Sequence, residues 1–588
     1  MIRHQMLILL AALFLSPTLA LAQQSNATPA DNKAADTALK EKAYELLDSL
    51  ATQISTLQSA ENRARIGSNI AASIWTRDEK RARALFVAVG EDIKLGLQPP
   101  REQIDPSGER EFLMVFLHLR ENTVDRIAKL DPEFAFDFLK TTEITFEDPP
   151  YGVVEKDRAL AARLAKQISG TNPDLALKIG RKALEQGFSD DLLSLIRQLH
   201  RKNRAQGVTL YKETVQKLRN TKFKEDQRTI REDWQTISFA QRLAELTPPL
   251  ADETAFREYI DILISAALAN KCDKPDAETE GGFFCSQVGA IVEQMKKVDP
   301  QRAAKLKHLD SEEEEEGRPW GPEIYRDAEE LIEAGDYDGV LALVKEYPGS
   351  KNAFYWRAFQ AAQDSGDLES ARKIANDYAD NPEVQKNMFD QLERGKREVA
   401  LTDAELEVLW KQAENAGNLQ GQYNFQERFK LLLTAAVRTG SRDRKATLKF
   451  YDQLYELVQG MTSVSQRNSM QAFVAMLYCM DKSDRGFTIM ESLMPKLNEL
   501  IDSAAKLDGF DTNYMRDGEW NMSASGTLGQ FLTELSRNAA YFAWCDFDRA
   551  VNLAAQFERT EIRMMAQLKL AQSILSGPPK RNSFNGFH

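Results

Sequence analysis

The stretch from Asn172 to Leu199, NPDLALKIGRKALEQGFSDDLLSLIRQL, carries two helical patterns back to back. Ala176, Ile179, Gly180 and Ala183 fall at the i, i+3, i+4, i+7 spacing of one helical face, and Leu192, Leu195, Ile196 and Leu199 repeat it. Gly187 interrupts the pattern, so the stretch predicts two helices joined at a corner. The same spacing recurs at Phe473, Met476, Leu477 and Met480, and nearly so at Ile562, Met565, Leu568, Ala571 and Leu575. No run of alternating apolar and polar residues stands between turn signals. The expectation is an all-α chain with more than about two thirds of its residues helical.

Helix starts repeat as well. Asp78/Ala82, Asp131/Ala135, Asn172/Ala176, Asp299/Ala303, Asp367/Ala371 and Asp546/Ala550 each set an Asp or Asn four positions before an alanine. The Asp or Asn can accept from the free N–H groups of the first turn, and Pro132, Pro173 and Pro300 occupy the first helical position, where no N–H is needed. Glu133, Asp174, Glu369 and Asp548 add negative charge at the positive end of the helix dipole. The alanine then admits a neighbouring helix closely. Because the intervals between these units vary, the fold class read from them is an irregular α-solenoid of stacked helical hairpins.

Composition narrows the function. The 588 residues are 43% hydrophobic and 28% charged, with a net charge of −13. That acidic balance excludes nucleic acid as a partner, since displacing counterions from phosphates requires a basic face. Residues 1–22 read as a signal peptide: Arg3 and His4, the apolar run Met6 to Leu15, Pro17, then Ala20-Leu21-Ala22 as a cleavage pattern. The run is too short to span a bilayer, and no later stretch reaches 18 uncharged apolar residues, so no membrane span is expected in the mature chain. The chain is expected to be exported, to the periplasm or the extracellular space, after cleavage near Ala22. Residues 23–36 read as a disordered leader, 37–307 as an N-terminal helical-repeat region, 322–578 as a C-terminal one and 579–588 as a tail. Between the two regions, 308–321 contains Glu312 to Glu316 followed by Gly317-Arg318-Pro319, and reads either as an acidic linker or as a loop within one solenoid. In an exported chain Cys272 and Cys285, flanking a loop with Lys274-Pro275 and Gly281-Gly282, are expected to form a disulfide. Cys479 and Cys545 read as buried free thiols rather than a second bridge.

Two resemblances follow from particular residues. Gly335-Asp336-Tyr337-Asp338, then Tyr355, Ala358, Ala362, Gly366-Asp367-Leu368, Ala371, Ala375 and Pro382 resemble tetratricopeptide repeats over 323–382, although Phe359 stands where that family has a small residue. This resemblance implies paired antiparallel helices and, at family level, peptide binding. Pro495 to Ile501, Leu507-Asp508-Gly509-Phe510, Arg516-Asp517-Gly518-Glu519 and Phe547 to Ala571 resemble an uncharacterised family of exported bacterial all-helical repeat proteins. That resemblance implies architecture and no activity.

Catalytic and cofactor signatures are missing. No two histidines stand at i, i+4, and no H-E-x-x-H, C-x-x-C, phosphate-binding glycine loop or serine-nucleophile elbow occurs, so neither a metal nor a cofactor is expected. Ser503-Ala504-Ala505-Lys506 lacks the companion motifs of S-x-x-K enzymes, and Glu491-Ser492 lacks the segment that would follow it in a transglycosylase. One segment stands apart. Asp508 to Gly526 gathers three glycines with Phe510, Asp511, Tyr514, Arg516, Asp517, Glu519 and Trp520, and is longer than a helix corner needs. Either Arg516 neutralises neighbouring carboxylates inside a folded plug, or these charges and aromatics face a solvent-filled groove and contact a ligand. The segment is the candidate binding site; no catalytic residue is assigned. The reading is a non-enzymatic scaffold for an unidentified protein or peptide partner, and its rival is a carbohydrate-active enzyme on an α/α-toroid using carboxylates among Asp511, Asp517 and Glu519.

Overall fold

The computed structural model describes residues 29–98, 106–143, 153–220, 236–244, 253–270, 272–273, 285, 288–289, 291–309, 328–329, 331–332, 335–346, 351–365, 367–378, 382–397, 404, 407–408, 410–412, 422–440, 443–510, 512–524 and 526–579. Its helices are α1 Pro29–Gln53, α2 Ala60–Ile74, α3 Glu79–Gly96, α4 Pro106–Ala128, α5 Pro132–Thr141, α6 Val153–Ile168, α7 Pro173–Gln186, α8 Asp190–Lys202, α9 Arg204–Arg219, α10 Glu253–Ala269, α11 Val292–Val298 and α12 Pro300–Ala303. They continue with α13 Tyr337–Glu346, α14 Lys351–Asp364, α15 Leu368–Asp377, α16 Pro382–Arg397, α17 Gln422–Thr439, α18 Arg444–Gln459, α19 Val464–Met480, α20 Arg485–Lys506, α21 Thr527–Arg537, α22 Ala539–Cys545, α23 Phe547–Ala554 and α24 Thr560–Ser576. Among the described residues the only strands are β1 Met515–Arg516 and β2 Glu519–Trp520. The chain is all-α.

The corner around Gly187 shows how local chemistry sets the hairpins. The Asn172 side chain accepts from the Leu175 N–H at 3.1 Å, with Pro173 behind it, and starts α7. Gly187 ends that helix at φ +136°, a backbone conformation that disfavours side chains, and its N–H closes on the Ala183 and Leu184 carbonyls. Ser189 then caps α8 through the Leu192 N–H. The apolar faces read from the sequence are buried: Ala176, Ile179, Ala183, Leu192, Leu195, Ile196 and Leu199 are all essentially inaccessible. Gly180 adds to this packing, because a Cβ there would press on Leu195 and Leu210.

The same caps form elsewhere. Asp78, Asp131, Asp299 and Asp546 accept from the first-turn N–H groups of Arg81, Glu133 and Phe134, Arg302 and Arg549. All six paired alanines, including Ala371, are buried. Asn172→Ala is expected to destabilise this part of the chain by about 1 kcal/mol, the usual worth of such a cap. A shift in the urea midpoint with unchanged slope checks it.

Contacts group the chain into two compact units. One consists of 94–365 with 369–378. In it α4, α6 and α8 pack in succession as one layer, while α7 and α9 pack behind them, which is the arrangement of stacked hairpins. The other consists of residues up to Ile93, 366–368 and 379–588. Here α17 packs on α18, α18 on α19 and α19 on α20; α19 meets α22, and α22 meets α24. The C-terminal α24 then packs against the N-terminal helices α1 and α2, so the two ends of the sequence share one core.

Three helices of this unit carry a signature that the sequence reading missed. Arg63, Arg467 and Arg563 each stand four residues after the cap position of α2, α19 and α24. Each guanidinium turns back to the carbonyl six residues earlier: Leu57 at 2.9 Å, Met461 at 3.1 Å and Phe557 at 2.9 Å. The arginine thus fixes the chain entering the helix, and its recurrence marks equivalent elements of a degenerate repeat.

Helix α1 begins at Pro29, inside the segment 23–36. Residues 310–327, with the acidic run, and the signal peptide lie outside the described residues, as does the tail from 580.

Candidate functional site

The segment after α20 is organised by one tight hairpin. Asp517 and Gly518 both have positive φ, +51° and +79°, the requirement of a two-residue turn between twisted antiparallel strands. Asp is among the residues that tolerate this conformation, and Gly meets no penalty in it. The turn pairs Met515 with Trp520 and Arg516 with Glu519. At its base the Asp508 carboxylate accepts from the Met515 N–H at 2.8 Å, and the Asn521 N–H donates to the Tyr514 carbonyl at 2.7 Å. The Tyr514 and Trp520 rings pack with centroids 5.3 Å apart.

The inward strand joins both ends of the chain. The Glu519 carboxylate, 8% exposed, accepts from the backbone N–H of Gln58 at 2.7 Å, that of Ser59 at 3.2 Å and Nδ2 of Asn62 at 3.1 Å. Ser59 occupies the cap position of α2 but its own side chain makes no cap bond. Glu519 therefore caps that helix from far along the sequence, with its charge at the positive end of the dipole. Asn62 also donates to the Trp520 carbonyl at 3.1 Å, and the Trp520 N–H donates to Glu561 Oε1 at 2.7 Å in the first turn of α24. Arg516 pairs with Glu61, which is 1% exposed and also accepts from Arg65 at 2.7 Å and Ser523 Oγ at 2.9 Å. The hairpin is a clasp between α2 and α24.

This geometry divides the candidate residues. Arg516, Glu519 and Trp520 are engaged by Gln58, Ser59, Glu61, Asn62 and Glu561, which supply partners for their charges and polar edges. Sequence reasoning missed those five residues. The available signal was weak: a helix start at Ser59 and two glutamates in first turns. Phe510 is 90% exposed, Asp517 is exposed at the turn and Tyr514 is half-buried. Asp511 lies outside the described residues. Glu491 is engaged in a two-pronged pair with Arg549 at 2.9 and 3.1 Å, as a helix-face glutamate.

Cys272 and Cys285 are joined as a disulfide, with Cα atoms 5.3 Å apart and both side chains fully buried. A non-reduced digest of the protein is expected to yield the linked peptides; alkylation at both positions without prior reduction would contradict the bridge. In α14 and α15, Tyr355, Ala358, Phe359, Ala362, Ala371 and Ala375 are buried, and Tyr355 donates to the Asp377 carboxylate at 2.7 Å. Among the described residues no group of three or more His, Cys, Asp and Glu is placed to hold a metal ion, and no helix is long and apolar enough to cross a membrane.

No protein-family model matches the chain, and no curated protein matches it. A solved structure described as a circular tandem repeat protein with novel repeat topology and enhanced subunit contact surfaces is similar over 92% of this chain and 96% of its own, at 11% identity and a TM-score of 0.17.

Proposed function

We propose that this chain is an exported, non-enzymatic scaffold that binds a protein or peptide partner through the surface of its stacked helical hairpins. The layering of α4, α6 and α8 over α7 and α9 carries the reading, because such arrays present continuous helical faces and need no catalytic centre. The apolar run and small-residue pattern of residues 1–22 support export. The resemblance of 323–382 to tetratricopeptide repeats supports a peptide-sized partner. On the clasp, the exposed Phe510 and Asp517 are the part of the candidate segment that remains open for contact with that partner.

Two measurements test the proposal. Exported protein is expected to begin at Gln23 by N-terminal mass analysis, whereas an intact Met1 in the cell extract alone would contradict export. Phe510→Ser is expected to leave the unfolding midpoint unchanged and to reduce recovery of the partner crosslinked in the exported fraction. Undiminished recovery would remove Phe510 from the binding surface.

A further inference from the structure

Two methionines flank the hairpin that ties α2 to α24. Met515 is the first residue of β1, and Met522 follows Asn521 just beyond β2. Both are partly exposed, and both pack against the core of their unit. Met476, Met490, Met494 and Met564 are sealed inside that core, none more than 1% exposed. A thioether must meet a dissolved oxidant to react, so exposure ranks these sulfurs. Met461, Met480 and Met565 are partly exposed as well. Met480 and Met565 belong to long helices, however, and the Met461 carbonyl is held by Arg467 at 3.1 Å.

The two hairpin methionines stand where little else compensates for a loss. Met515 lies opposite Trp520 in the strand pair. Directly opposed side chains share one face of a sheet, and a thioether next to an aromatic ring is a favourable contact. Trp520 is 2% exposed, packs on Tyr514 and donates its N–H to Glu561 at 2.7 Å, so this face carries the tie to α24. Asn521, the neighbour of Met522, is 4% exposed and donates its N–H to the Tyr514 carbonyl at 2.7 Å. Each strand has only two residues, so no further ladder supports the base of the hairpin.

We propose that Met515 and Met522 are oxidation sites whose sulfoxides loosen the clasp, so that peroxides control the union of α2 with α24. The methionine sulfur attacks one oxygen of hydrogen peroxide. An S–O bond forms as the O–O bond breaks, the sulfur gives up two electrons, and the departing hydroxide takes the proton of the transferred oxygen and leaves as water. The flexible apolar side chain becomes a polar one. On the Trp520 face its new oxygen has to be buried beside a ring, which is costly without a donor.

The test treats the full chain with hydrogen peroxide and follows sulfoxides by peptide mapping and amide protection by hydrogen exchange. Met515 and Met522 are expected to oxidise before Met476, Met490, Met494 and Met564. As they do, the Gln58 and Ser59 amides and the first turns of α2 and α24 are expected to lose protection. Methionine sulfoxide reductase is expected to restore it. Dithiothreitol alone, which reverses thiol oxidation at the half-buried Cys545 and leaves sulfoxides intact, is expected not to. Met515→Leu and Met522→Leu, made singly and together, conserve volume, and the double variant should keep its protection under peroxide. Three results would overturn the proposal: buried methionines that oxidise as fast as this pair, both sulfoxides formed with Gln58 and Ser59 still protected, or lost protection that the reductase leaves unrestored. The reductase comparison is made on the wild-type chain and so does not depend on how any variant folds.

Discussion

Replacing Trp520 by alanine is expected to destabilise the unit that contains both chain ends by about 3–5 kcal/mol, the usual cost of truncating a buried large aromatic. Trp520 is 2% exposed and packs on Tyr514, while its backbone ties Asn62 to Glu561. The substitution removes ring contacts on the inner face of the hairpin and leaves a cavity where the clasp meets α24. Urea unfolding followed by a probe in α24 would register the change as a lower midpoint. The exposed-loop reading required the opposite result, a normal midpoint with lost partner capture, and that outcome would reinstate it.

Glu519→Ala is expected to cost about 3 kcal/mol or more, by a different route. Hydrogen bonds to a charged acceptor contribute about 1.5–3 kcal/mol, and a buried donor left without one bears its desolvation penalty. Glu519 serves the Gln58 and Ser59 N–H groups and the Asn62 amide, and Ser59 has no side-chain bond of its own to replace it. Glu519→Gln, which keeps an acceptor oxygen but loses the charge beside the helix dipole, should retain part of the stability. Equal unfolding midpoints for wild type and Glu519→Ala would show that the cap contributes nothing.

The hairpins were legible in the sequence because their determinants are local. Asn172, Pro173 and Gly187 act within a few residues of themselves, and so do Asp131, Asp299 and Asp546; a single chain displays such signals directly. The clasp was legible only in part. Asp517-Gly518 is a hairpin signal in its own right, but whether Arg516, Glu519 and Trp520 belong to a plug or a groove could not be read locally, because four of their partners lie near residue 60. Glu519 and Gln58 are 461 positions apart, and no spacing rule reaches that far. A charged residue is costly to bury only when unpaired, so composition alone could not decide whether the segment was a groove lining or a plug.

Native-state hydrogen exchange on wild type and Glu519→Ala tests the clasp most directly. The account predicts that the Gln58 and Ser59 amides lose protection in the variant and that the amides of α2 and α24 lose it together, while those of α6 to α9 in the other unit keep theirs. Loss confined to the hairpin itself, with α2 and α24 as protected as before, would contradict the claim that this segment holds the two ends of the chain in one core.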